Sequence, residues 1–245
     1  MHQAIAVGVF LVFWAPLSAQ ESLIPAAHTK RDIEGWTVHI DNRLLADADK
    51  KLGDHALRLL ANRLYDIKHV MPEEKVKLLQ KVEIWIDKSH GKLRPAQYHP
   101  SKGWLKANGF SENLAKCVHI PVAAEWSSVN HQRVQSWSVL HELAHAYHDQ
   151  VLGFDHAEVA AAFGRFRDSG KYEKTLHING TKTKHYALTN EKEFFAEMTE
   201  SFFGQNDFFP FNRAELLREE PEVYALLATV WGTEKNKKKT AKPQR

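Results

Sequence analysis

The chain has a single cysteine, Cys117, in 245 residues, so it can form no disulfide within itself. Cohesion must come from packing, from a metal and from chain length. A lone cysteine in an apolar stretch reads as a small buried hydrophobe; the alternative is a thiol that blocks a metal site as a latency switch. Charge of one sign is also scarce. The formal net charge of +3 draws partly on the last few residues, which argues against a nucleic-acid-binding surface. Long apolar runs are missing too. The longest, Ala4 to Pro16, is about 13 residues, short of the roughly 20 that span a bilayer as a helix. With the small residues Ser18 and Ala19 behind it, the run reads as a secretory signal cleaved after Ala19, with an uncleaved anchor as the alternative. Residues 1–19 are thus expected to be a signal, 20–233 one domain and 234–245 a disordered basic tail. No membrane contact is expected of the mature form.

What is present describes an ordinary globular protein: 43% hydrophobic and 26% charged residues, in a length that suits one sizeable core. Gly35 to Asp41 alternates as a strand, and Leu52, Leu57, Leu60, Leu64 and Ile67 mark a long helix ending before Pro72. A short helix from Glu73 to Gln80 leads into a second strand, Val82 to Asp87. Lys88 to Ser111 reads as a long surface loop pinned by Tyr98 and Trp104. Ala115 to Val122 is a third strand, either internal or the edge on which a peptide is laid by β-addition. His156 to Arg167 is a helix, and Thr175 to Tyr186 a hairpin turning at Asn179-Gly180. That turn also forms a glycosylation sequon, Asn179-Gly180-Thr181.

The chemistry centres on His141-Glu142-Leu143-Ala144-His145. Residues four apart share a helix face, about 6 Å apart along the axis, so both imidazoles can meet one metal ion, most often zinc. Glu142 lies roughly 60° round from His145, too far to be a ligand but within reach of a water held by the metal. The flanking Val134, Trp137, Leu140, Ala144, Tyr147 and Val151 make a buried stripe, with Asn130 as N-cap and Gly153 as C-terminal stop. His148 shares the ligand face but sits a further turn along. The metzincin extension is excluded, because it needs Gly at 148 and His at 151, where this chain has His148 and Val151.

A third ligand can come from Glu193, Glu197 or Glu200, which fall at i, i+4 and i+7 beside Phe194, Phe195, Met198 and Phe202. Acids beside an apolar stripe are costly unless a positive partner faces them. Glu193 has another explanation, since Asn190-x-x-Glu193 is also a capping box.

The stretch Tyr186-Ala-Leu-Thr-Asn-Glu-Lys-Glu-Phe-Phe-Ala-Glu197, following His-Glu-Leu-Ala-His, resembles the catalytic domain of the anthrax lethal factor-like zinc metallopeptidases, of gluzincin type. The likeness runs from the metal helix to about Phe203. It implies an α+β, single zincin-like metallopeptidase domain, with a small sheet packed against the HExxH helix and a Glu-bearing helix. It also implies one zinc on His141, His145 and Glu193, with Glu142 as general base. Tyr186 would stabilise the oxyanion, and Glu197 would orient a ligand histidine from behind. The expectation is an exported, monomeric peptidase acting on peptides or proteins. The rivals are an amidase cleaving other amides, such as cell-wall peptides, and an idle metal-binding module.

Overall fold

The computed structural model describes residues 24–233, so the expected signal and basic tail lie outside the described residues. It begins with a hairpin that the apolar pattern did not reveal. Strand β1 (His28–Ile33) pairs antiparallel with β2 (Trp36–Asp41) across the two-residue turn Glu34-Gly35. Both turn residues have positive φ, 54° and 90°, the twist that a two-residue hairpin needs. Glycine takes that shape without strain, and a Cβ at Gly35 would come within 2.3 Å of the Gln80 amide that seals the turn.

β2, β3 (Ile84–Ile86) and β5 (Val118–Ile120) run parallel, and β4 (Gln97–Tyr98) closes the sheet antiparallel to β5, giving the order β1-β2-β3-β5-β4. Alternation splits the sheet into two unlike faces. Val38, Ile40, Ile84, Ile86, Val118 and Ile120 are fully buried on one of them, each contributing about 1.5–3 kcal/mol by leaving water. The other face carries His39, Trp85 and His119 in register, with His39 stacked on Trp85 at 4.0 Å.

The helices follow in chain order: α1 (Lys50–Val70), α2 (Glu73–Leu79), α3 (Lys102–Ala107), α4 (Ala123–Trp126), α5 (Val129–Val134), α6 (Ser138–Tyr147), α7 (Ala157–Asp168), α8 (Glu191–Phe203), α9 (Arg213–Glu219) and α10 (Pro221–Val230). α1 buries Leu60, Leu64 and Ile67 at helical spacing, as the sequence indicates, together with Ala56, while Leu52 and Leu57 are only partly buried against the core. α6 packs on β4 and β5 and against α8, and α7, α9 and α10 surround α8. Trp231, at the end of α10, is fully buried against Tyr147, Phe195 and Phe203, and its indole N–H donates to Thr199. One hydrophobic core runs from Trp36 to Trp231, so the chain before α6 shares a core with the chain after it. The class is mixed α and β. Among the described residues no helix is long and apolar enough to cross a membrane.

Several local expectations are corrected, and one open alternative is resolved. The segment Lys88 to Ser111 is not all loop: it holds β4 and α3, the latter capped by the Ser101 hydroxyl on the Trp104 amide. Tyr98 is buried, whereas Trp104 is half exposed. Of the two readings of the third strand, β5 is internal and β4 is the edge. The run into α6 is not one helix capped at Asn130. Ser128 caps α5, the backbone breaks after Val134, and α6 starts at Ser138. The far end also departs, since His148–Leu152 widens into a π-helical turn that leaves Val151 exposed. Gly153 ends it at φ 86°, as its position suggests. The hairpin after α7 forms as β6 (Thr175–Leu176) and β7 (Lys182–Thr183), with the Asn179 side chain accepting from the Thr181 amide in the turn.

Candidate metal centre

α6 presents His141 and His145 on one face, with their rings edge to face and centroids 4.7 Å apart. Asn190 caps α8 through its side-chain oxygen, which accepts from the Lys192 and Glu193 amides. That cap starts α8 beside α6 and leaves the Glu193 side chain directed at the imidazoles. One oxygen of Glu193 lies 3.1 Å from His141 Nε2 and 3.2 Å from His145 Nε2. Asn190 therefore supplies its half of the capping box, while the Glu193 carboxylate serves the histidines.

These lengths matter. Zinc bonds of about 2.0–2.1 Å at tetrahedral angles put neighbouring ligand atoms about 3.3 Å apart. The three convergent atoms match that spacing, and two imidazoles with one carboxylate form a familiar zinc donor set. His141, His145 and Glu193 are the residues that would hold the ion.

Glu142 is buried on the same turn, and its carboxylate accepts the Tyr98 N–H at 2.7 Å. Edge strand β4 thus fixes the orientation of the expected base. Burial raises the Glu142 carboxyl above its ordinary value, against the pull of the two histidines. Burial acts on Glu193 in the same direction, but hydrogen bonds from both histidines overcome it and hold the carboxyl well below the usual range. Burial alone would depress His141. Hydrogen bonds to Glu193 and Glu200 outweigh that and raise it well above an ordinary imidazole.

Behind the imidazole the placement differs from expectation. Glu200, not Glu197, takes His141 Nδ1, at 2.7 Å, whereas the nearest Glu197 oxygen is 3.6 Å away. Helical geometry accounts for it. Position i+7 returns to within about 20° of Glu193, whereas i+4 is about 40° off that line. Glu193 and Glu200 consequently occupy the two nitrogens of one ring. Burial lifts the Glu200 carboxyl to about 6 despite its bond to His141. Glu197 lies between His141 and His185, with one buried oxygen lacking a hydrogen-bond partner among the described residues.

Tyr186 stands at the mouth, half exposed, with its ring centroid 6.5 Å from that of His141. Burial and the neighbouring Glu193 raise its phenol. Around these groups lies a cleft of about 540 Å³, walled by Gln97 and Tyr98 of β4 on one side and by Glu125, Trp126 and His131 on another. His148 is not part of it. It is fully buried against Phe154 and Phe195, and burial lowers its pKa to about 4. Cys117 is also remote from the ligands. Its sulfur lies 3.5 and 3.6 Å from the Ala115 and Asn113 carbonyl oxygens, either of which can accept its one hydrogen, and burial raises it to about 11, as for an inert hydrophobe.

The i, i+4 histidines and the downstream glutamate were legible in the sequence, and the structure brings them together. The Tyr98 amide was not, because a backbone donor leaves no side-chain signature. Comparison with family models, curated proteins and solved structures returned no significant match.

Proposed function

We propose that this chain is an exported zinc metallopeptidase of the lethal factor-like, gluzincin type, with a zincin-like fold. The observation that carries the reading is one Glu193 oxygen set 3.1 and 3.2 Å from the His141 and His145 Nε2 atoms, with Glu142 on the same helix. A purely structural site would have no use for Glu142 or for a half-exposed tyrosine at the cleft mouth.

Zinc, held by His141, His145 and Glu193, would supply Lewis acidity and make water nucleophilic near neutral pH. Glu142 takes the proton of the attacking water and passes it to the leaving amine, a role that its raised pKa suits. The Tyr186 hydroxyl donates to the oxyanion that forms on the scissile carbonyl. Glu200 accepts the Nδ1 proton of His141, fixing the tautomer that frees Nε2 for the metal. The substrate would lie in the cleft lined by Gln97 and Tyr98 of β4. Export rests on the apolar run Ala4 to Pro16.

The test is cleavage of a proteome-derived peptide library by the zinc-loaded protein. Cuts at recurrent sequence positions are expected. Glu142→Gln should keep the zinc and lose activity by at least 10²-fold, the usual worth of a general base. An inactive wild type, or a Glu142→Gln variant that cuts as well, would contradict the reading.

A further inference from the structure

A second group of histidines surrounds Asp87, outside the cleft. Asp87 is fully buried at the end of β3, and its backbone is held by the Ile120 carbonyl on one side and the Ala123 amide on the other. One of its carboxylate oxygens lies 2.6 Å from His90 Nδ1 and 2.8 Å from His119 Nε2. The other lies 2.7 Å from His28 Nε2. On the far side of His119, Nδ1 is 3.2 Å from His99 Nε2. Residues from β1, β3, β5 and the two loops flanking β4 thus meet on the histidine-bearing face of the sheet.

We propose that Asp87, His90 and His119 form a second metal site, for zinc or another first-row dication that prefers imidazole. The donor set is one carboxylate oxygen and two imidazole nitrogens, all buried and mutually within reach of one ion. The outer ring has the form that such sites use. His28 holds the second carboxylate oxygen, and His99 is placed to accept the proton on the far nitrogen of His119. Loading would part the ligand atoms to about 3.3 Å, a shift of roughly half an ångström for side chains, one of them on the loop after β3. The ion would be structural. It would tie β3 to β5 next to β4, the strand that positions Glu142.

The test uses a His141→Ala/His145→Ala variant, which lacks both cleft imidazoles and keeps only the Glu193 carboxylate of that ligand set, so its uptake does not depend on the cleft site. After chelation and titration with cobalt(II), it should bind one equivalent with visible d–d absorption and melt at a higher temperature when loaded. Adding Asp87→Asn or His90→Gln should abolish both effects. No uptake by the double variant, or uptake that survives both further substitutions, would overturn the site and leave a hydrogen-bonded hub. Cadmium NMR of the double variant serves if either further substitution prevents folding. A resonance coupled to two imidazoles supports the site, and one typical of solvated oxygen ligands overturns it.

Discussion

The centres built on Glu193 and on Asp87 use the same residue types and differ in spacing, exposure and access. At Glu193 the carboxylate stands 3.1 and 3.2 Å from two imidazoles, about a fifth of its side chain is exposed, and a cleft opens in front of it. At Asp87 the contacts are 2.6 to 2.8 Å, the carboxylate is sealed, and His28 and His99 close the periphery. Histidine and carboxylate content therefore does not distinguish chemistry from architecture. What separates the centres is an acid on the ligand helix, a half-exposed hydroxyl and room for a substrate, and the Glu193 centre alone has all three.

That contrast can be broken or sharpened by substitution. The largest effect on the fold should come from Asp87→Asn, which puts an amide donor in place of one acceptor oxygen and so deprives either part-buried His28 or the buried His90 and His119 of its acceptor. In the presence of chelator it should destabilise the protein by about 3 kcal/mol or more, measured by urea unfolding. An unfolding midpoint within error of wild type would mean that the Asp87 group is not structural. Tyr186→Phe should leave the fold and metal content intact and lower kcat about 10²-fold, the usual worth of one oxyanion donor. An unchanged kcat would remove the tyrosine from the chemistry. Glu200→Gln should weaken zinc binding in the cleft by about 10- to 100-fold, read by chelator competition, and Glu197→Gln should do less. The reverse order would show that Glu197 orients His141 in the loaded protein.

The unequal legibility of the centres has a physical cause. His141, Glu142 and His145 sit on one helix, where spacing alone dictates a shared face, and Glu193 follows a readable cap at Asn190. His28, Asp87, His90, His99 and His119 come from separate stretches, and only the pairing of β3 with β5 and of β4 with β5 brings most of them together. Without that register no local pattern marks them. The main elements, α1, β2, β3 and α8, follow from periodicity. The hairpin strand β1 does not, because its residues are mostly polar and partly exposed. The break between α5 and α6 escapes for a different reason: apolar spacing continues through it while the backbone turns.

The central claim is that Glu193 is a ligand rather than a capping residue, and Glu193→Gln tests it most directly. Glutamine keeps the side-chain length and can still serve in a capping box, and the Asn190 side chain caps α8 in either case. The measurement is zinc titration of the metal-free variant beside wild type, with thermal melting of both metal-free proteins. The expected result is a severe loss of zinc affinity at the cleft, beyond the lowering of metal-free melting that follows from losing the Glu193 contacts to His141 and His145. Equal zinc affinity with lowered melting would make Glu193 a helix-capping residue and leave the cleft without its third ligand.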